Sequence, residues 1–292
     1  MTVFGDLEVS VLDELPPGRC PVQTTVVPAS KPAWVARVWE RLAEEARDGH
    51  QAFVVCPRIA EGPGDQGAGE DGFWAAEDEA AGADGPKPPL ASVESTLRLF
   101  EDNPALKDLR VAPLHGQMSA EDKARTMAAF QAGQLDALVA TTVIEVGIDV
   151  PKATAMVILD ADRFGLAQLH QMRGRVGRGG LPGLCLLLSG AEPGTPAAER
   201  LAAMERTSDG FELSEVDLRL RREGDVLGAA QTGRGGLKLL RVMRDRELIA
   251  QARELATRLV AADPGLARPE HAELRRVLDG RLADREEYLE RT

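Results

Sequence analysis

The 292-residue sequence predicts an α/β fold: a parallel β-sheet flanked by helices, followed by a small C-terminal helical region with a helical hairpin. Three observations predict it. Short, wholly apolar runs recur as far as Gly190, as strands buried on both faces require. Amphipathic or capped helical segments separate those runs, which makes the sheet parallel. Beyond Gly190 the apolar runs stop and only helical patterns remain, so a boundary falls at about residue 191.

In chain order, Val22–Val27 (VQTTVV) reads as a strand and Pro32–Arg47 as a helix with Trp34, Val38 and Leu42 near one face. Ala52–Cys56 (AFVVC), bounded by His50 and Pro57, is a buried strand. Ser92–Phe100 is helical and Arg110–Leu114 extended. Ser119 opens a helix that ends near Gly133, with Asp122 as its capping-box partner. Asp136–Ala140 (DALVA), Ala155–Leu159 (AMVIL) and Leu184–Leu188 (LCLLL) are three further buried strands, and Gly165–Met172 is a helix between the last two. Thr195–Arg206, Ser214–Arg222, Leu237–Val260 and Glu270–Leu289 are the helices of the C-terminal region. No fixed-period repeat is visible.

Lys+Arg total 35 against Asp+Glu 47, a formal charge of −12, but that total misleads about partners. Between Glu61 and Pro86 lie eight acidic residues, seven glycines and no basic residue, which leaves −4 for the rest of the chain. Residues 61–89 therefore read as a disordered acidic surface insertion, too polar to offset its ordering entropy. From Arg163 to Ser189 there are four arginines and no acid. A second basic stretch, from Arg219 to Arg246, is interleaved with acids, and a solvated helix face is its plain alternative. A local patch is enough for a nucleotide or nucleic-acid partner. No run approaches the roughly 18 apolar residues of a membrane span. No basic-then-apolar leader follows Met1. Cys20, Cys56 and Cys185 are too scattered for a disulfide framework or a zinc site, so the expectation is a cytoplasmic protein, without membrane or metal, whose cysteines are buried small hydrophobes.

Ligands of such sheets sit beyond the carboxyl ends of the strands, and two segments are expected there. The first is Ala140–Pro151 (ATTVIEVGIDVP). The hydroxyls of Thr141 and Thr142 and nearby backbone N–H groups suit a phosphate oxygen, Gly147 permits close approach, and Asp149 can accept from a sugar hydroxyl. A strand end or a cap is the alternative for the threonine pair. The second segment is Gln168–Gly179 (QLHQMRGRVGRG). Arg173, Arg175 and Arg178, spaced by glycines with no acid nearby, are costly to gather without an anion. Guanidinium forks onto phosphate oxygens, which suits the γ-phosphate of a nucleotide; a solvated basic loop is the alternative.

QMRGRVGR (Gln171–Arg178) and ATTVIEVGIDVP (Ala140–Pro151) resemble motifs VI and V of superfamily 2 helicases, with matching spacing between them. LHGQMSAEDKARTMAAFQAG (Leu114–Gly133) is similar to the segment that precedes motif V. Within that superfamily the RecG family of ATP-dependent DNA helicases, which remodel stalled forks, is the nearer match. MTVFGDLEVSVLDELPPGR (Met1–Arg19) resembles its link between two motor domains. DRFGLAQLHQMRGRVGRG (Asp162–Gly179) is shared with the transcription-repair coupling factor, and DGFELSEVDLRLRREGDVLGAAQTG (Asp209–Gly233) resembles the translocation motif common to both.

The resemblance implies a linker over 1–21, a second RecA-like motor domain over 22–190 and a translocation-motif region over 191–292. It implies that Arg175 and Arg178 act as arginine fingers on the γ-phosphate of ATP, with Gln171 beside them. Gly147 and Asp149 face the nucleotide. Thr141, Thr142, His115 and Gly116 contact the DNA backbone, although a buried, hydrogen-bonded histidine is the alternative for His115. Arg200, Arg221 and Gln231 link the helical hairpin to motif VI, or, for the two arginines, form surface salt bridges. The implied cofactors are ATP and Mg²⁺, and the partners are branched or forked DNA with a first motor domain and a wedge domain. The sequence departs from the family in lacking a GxxxxGK[ST] loop and a DExx box, which belong to the first motor domain and hold ATP and Mg²⁺. Arg222-Glu223-Gly224-Asp225 also replaces the family's Gly-Pro-Gly-Glu-like turn. The expectation is the C-terminal motor half of a helicase, inactive alone. A non-catalytic RecA-like accessory protein and a fragment of the coupling factor are the alternatives.

Overall fold

The computed structural model describes residues 20–60, 89–141, 150–220 and 246–279. The Met1–Arg19 link, the acidic insertion up to residue 88, Thr142, Gly147, Asp149, Arg221, Gln231 and the 222–225 turn lie outside the described residues, as do 237–245 and 280–289 of the predicted helices.

Residues 15–220 form one compact unit. Among the described residues its elements are β1 (Val22–Pro28), α1 (Pro32–Arg47), β2 (Gln51–Val55), α2 (Val93–Asp102), β3 (Val111–Leu114), α3 (Ala120–Gln131), β4 (Ala137–Ala140), β5 (Ala153–Ile158), α4 (Leu166–Arg173), β6 (Gly183–Ser189), α5 (Pro196–Arg206) and α6 (Gly210–Leu220). The six strands form one sheet in the order β1-β6-β5-β2-β4-β3, every neighbouring pair parallel. From β2 the chain steps out to the β3 edge, then returns through β4 and β5 to β6. Reversing the step reverses the face on which each right-handed crossover lays its helix.

Two cores result. On one face Val54, Cys56, Val139 and Val157 pack under Val38, Trp39 and Leu42 of α1 and Phe100 of α2. On the other, Phe53, Val55, Leu138, Met156 and Ile158 meet Phe130 of α3, Leu169 and Met172 of α4, and Leu201, Met204, Leu213 and Val216 of α5 and α6. All five residues of β2 are buried because both faces are covered, which is why Ala52–Val55 are apolar without alternation. The Phe53 and Phe130 rings lie 5.1 Å apart, and each is fully buried, a contribution of about 1.5–3 kcal/mol apiece. Burial pushes the thiols of Cys56 and Cys185 up to about 12, so they act as small apolar residues. Pro113, in the edge strand β3, blunts that edge, and Glu205 of α5 accepts from the outward N–H of Val26 at the other edge (3.1 Å).

Local chemistry sets the helix ends. Ser92 and Ser95 form a reciprocal capping box at the start of α2. At α3 the Ser119 hydroxyl accepts from Asp122 N (3.1 Å) and donates to its carboxylate (2.7 Å). α6 begins at Gly210, a turn earlier than its pattern suggests, because Asp209 Oδ1 accepts from Phe211 N (2.7 Å). α5 and α6, which fall beyond residue 191, share the core of the sheet.

The second unit is described over residues 246–279. α7 (Arg246–Ala262) leads through a turn into a 3₁₀ segment, Pro269–His271, and a helix that continues to residue 279. Asp263 organises that turn. Its carboxylate accepts from His271 Nδ1 (2.7 Å), Arg268 N and Ala267 N, and these bonds hold it down at about 2.

Candidate functional site

Each parallel crossover returns its helix antiparallel to the strand before it. α4 therefore starts at the carboxyl end of β5, where Gln168 Oε1 accepts from Gly165 N (3.1 Å), and finishes at the amino end of the sheet. The arginine loop that follows lies at the amino ends, not beyond the carboxyl ends where the sequence placed it. Gly177 N donates to Ala153 O at the start of β5 (3.4 Å), and Cys20 N donates to Gly177 O (3.3 Å) just before β1. A strand-end rule applied to sequence overlooked that the segment follows a helix rather than a strand.

The Ala140–Pro151 segment connects the two ends. It leaves β4 at the carboxyl end with Thr141 and re-enters as β5 at the amino end, where Pro151 meets the arginine loop. Contact there is backbone to backbone. A Cβ on Gly179 would stand 2.2 Å from Pro151 O, and one on Gly183 2.9 Å from the Val22 side chain. Gly177 turns with φ +74°, so the loop needs its glycines at these points.

The three arginines separate in role. Arg178 is exposed, with Nε donating to Gly174 O (2.9 Å), which holds the guanidinium base against the end of α4. Arg175 is half-buried and Gln171 exposed. Arg173 instead is 4% exposed: Nη1 donates to Met204 O and Thr207 O (2.8 Å each), and Nη2 to His170 Nδ1 (2.9 Å). The expectation that all three share an anion is corrected here. The carbonyl end of α5, with its partial negative charge, takes the place of an anion for Arg173.

At the carboxyl end, Thr141 is buried, its N–H directed to Leu114 O (3.3 Å). His115 and Gly116 form the turn after β3. Lys123 Nζ donates to Gly116 O (2.8 Å), and the half-buried His115 ring leaves Nδ1 without a hydrogen-bond partner among the described residues. The adjacent ends of β3 and β4 thus bring His115, Gly116 and Thr141 together, one strand spacing of about 4.8 Å apart. Beyond the carboxyl end of β1, at the opposite edge of the sheet, Lys31 Nζ lies 4.3 Å from the centroid of Trp34, at the first turn of α1.

Sequence reasoning missed the turn after β5. Asp160 takes left-handed φ (+48°), and its half-buried carboxylate, pushed up by desolvation, accepts from Ala91 N (2.7 Å). Asp162 Oδ1 accepts from Ser189 Oγ (2.7 Å) and Gly190 N (3.2 Å), and Asp162 O accepts from Arg200 Nη2 (3.2 Å). Arg200 is 3% exposed, so it belongs to this buried junction rather than to a surface salt bridge. The available signal was an acid-rich strand exit, Asp160-Ala161-Asp162.

Residues 91–180 match the helicase conserved C-terminal domain, and residues 207–283 match the C-terminal part of domain 3 of the ATP-dependent DNA helicase RecG. The chain is 47% identical over 271 residues to the ATP-dependent DNA helicase RecG of Mycobacterium tuberculosis strain H37Rv, covering 91% of this chain and 34% of that protein. The Thermotoga maritima RecG is 40% identical over 256 residues, covering 87% of this chain and 29% of that protein. Among solved structures, RecG bound to a three-way DNA junction is 37% identical with a TM-score of 0.54, covering 81% of this chain and 27% of that one. The chain spans about a third of the length of the curated relatives it matches.

Proposed function

The chain belongs to the RecG family of ATP-dependent DNA helicases, and on that premise we propose that it is the arginine-bearing motor segment of a helicase that remodels branched DNA. One observation carries the reading. The two candidate segments occupy opposite ends of one sheet, with the arginine loop and Pro151 at the amino end and Thr141 with the His115–Gly116 turn at the carboxyl end.

Residues at the amino end fit one wall of a nucleotide site. Arg178 is exposed on a glycine-bounded loop that meets Pro151, and Arg175 and Gln171 precede it in the same segment. ATP with Mg²⁺ supplies the phosphoryl group whose hydrolysis drives the motor. Arg178 and Arg175 reach across a cleft to the charge that develops on it, and Asp149 accepts from the ribose. At the carboxyl end Thr141 and Thr142, with the backbone of His115 and Gly116, grip DNA phosphates. Such positioning contacts set register without reading sequence. Arg200, Arg221 and Gln231 belong to the translocation lever.

The sequence has no phosphate-loop lysine, so the 292-residue chain alone is expected to show negligible DNA-stimulated ATPase activity. Joining it to the first two thirds of the Mycobacterium tuberculosis relative restores turnover. Arg178→Ala in that joined protein lowers kcat by roughly 10³-fold, as loss of an arginine finger does. Robust turnover by the chain alone removes the composite-site reading, and undiminished turnover in Arg178→Ala removes the finger assignment. A joined protein that binds forked DNA and hydrolyses nothing supports an accessory role instead.

A further inference from the structure

The last turn of α1 holds a carboxylate where helix electrostatics disfavour one. Glu45 is 6% exposed and sits at the carbonyl end of α1, whose partial negative charge repels an acid. Arg41 and His50 satisfy it in part: Arg41 Nη2 donates to Oε1, and His50 Nδ1 lies 2.7 Å from Oε2. The same Oε2 accepts from Thr154 Oγ1 (2.6 Å), 109 residues further along the chain. We propose that Glu45, through Thr154, is the positioning residue that sets the arginine loop at the amino end of the sheet; this rests on the motor reading above.

Thr154 occupies an irregular place in β5. Gln51 of β2 pairs with Ala153 while Ala52 pairs with Ala155, so Thr154 is the extra residue of a β-bulge. A bulge bends its strand and re-aims the residues beside it. Those residues form the seat of the arginine loop. Ala153 O accepts from Gly177 N (3.4 Å), and Pro151 O faces Gly179 so closely that a Cβ there would stand 2.2 Å away. Lys152 O, between them, accepts from Gln51 N (2.8 Å), which ties the same stretch to β2. Thr154 is 2% exposed, so its hydroxyl has no water to turn to, and the bond to Glu45 fixes how far the bulge opens. Glu45 touches neither nucleotide nor DNA: it acts through the two backbone carbonyls against which Gly177 and Gly179 rest.

Substitutions at Thr154 test the assignment. Thr154→Val keeps the branched shape and removes the donor, whereas Thr154→Ser keeps the hydroxyl. In the 292-residue chain, Thr154→Val is expected to quicken hydrogen exchange about tenfold across residues 174–180 while 184–188 in β6 stay protected. Thr154→Ser is expected to exchange as the unsubstituted chain does. Unchanged exchange at 174–180, equal acceleration in β6, or Thr154→Ser behaving like Thr154→Val overturns the proposal. In the joined protein, Thr154→Val is expected to lower kcat for DNA-stimulated ATP hydrolysis about tenfold, with KM for ATP held within about threefold. An unchanged kcat overturns the proposal. Added to Arg178→Ala, the same substitution is expected to lower kcat further by less than about threefold, because the loop it positions has already lost its finger. A larger further loss marks a residue that acts on the fold as a whole and overturns the proposal. Should Thr154→Val fail to fold, Thr154→Ala removes the donor without setting a methyl against the carboxylate and takes its place in both measurements. If the unsubstituted joined protein hydrolyses no ATP, the motor reading fails, and the exchange measurement alone decides whether Glu45 positions the loop.

Discussion

At the scale of single residues, the deciding quantity is where each charge or methyl finds space. Gly179 has none to give: a Cβ would lie 2.2 Å from Pro151 O and 2.8 Å from its carbonyl carbon. Gly179→Ala should destabilise the chain by about 1–3 kcal/mol in urea denaturation, the usual cost of overpacking. Asp160 carries the opposite lesson. Burial raises its carboxyl, so the folded state holds the proton more readily than the unfolded state does. The group's penalty is therefore absent at low pH and appears as pH rises through the raised value. Asn tolerates the left-handed φ and still accepts from Ala91 N, so Asp160→Asn should raise Tm at pH 7, by an amount that shrinks as pH falls through the carboxylate range. A gain that persists unchanged at pH 3 would remove the desolvation account.

Elements impose direction, and direction moves the candidate site. A helix in a parallel crossover runs back along the sheet, so α4 delivers its C-terminal loop to the end opposite the one where it began. Helix ends also explain charges that composition leaves puzzling: the carbonyl terminus of α5 accommodates Arg173 without any carboxylate. Caps fix where elements start. Ser92→Ala removes the Ser92 hydroxyl that accepts from Ser95 N, one half of the α2 capping box, and should cost about 1 kcal/mol, read as a lower urea midpoint at unchanged m-value. In the second unit, Asp263→Ala removes three acceptor contacts from the turn after α7, and amide exchange across residues 264–271 should quicken while that of α7 stays protected.

For the whole molecule, the extent of the core is the relevant quantity. The helices after residue 191 bury Leu201, Met204, Leu213 and Val216 against the sheet face that also holds Leu169 and Met172. A chain ending at Gly190 would uncover that face. Truncation at Gly190 should abolish cooperative unfolding, whereas truncation at Leu220, where the compact unit ends, should preserve it. Circular dichroism melts of the two truncations distinguish these outcomes, and a cooperative melt from the shorter chain would show that the sheet stands without α5 and α6.

Apolar runs such as AFVVC, AMVIL and LCLLL, with Ser92 and Ser119 before helical patterns, determined from sequence alone that the chain forms a parallel sheet, and they located its strands to within a residue or two. They suffice because burial on both faces and helix capping are local requirements written into neighbouring side chains. The residue types of the site were legible in the same way, as glycine-spaced arginines and a threonine pair at a strand exit. Tertiary structure alone decided that the arginine loop and Thr141 stand at opposite ends of the sheet, that Arg173 and Arg200 are buried in packing, and that α5 and α6 share the core. These outcomes depend on carbonyls and apolar faces tens of residues away in the chain, brought close only when the crossovers close, and no local pattern encodes that proximity.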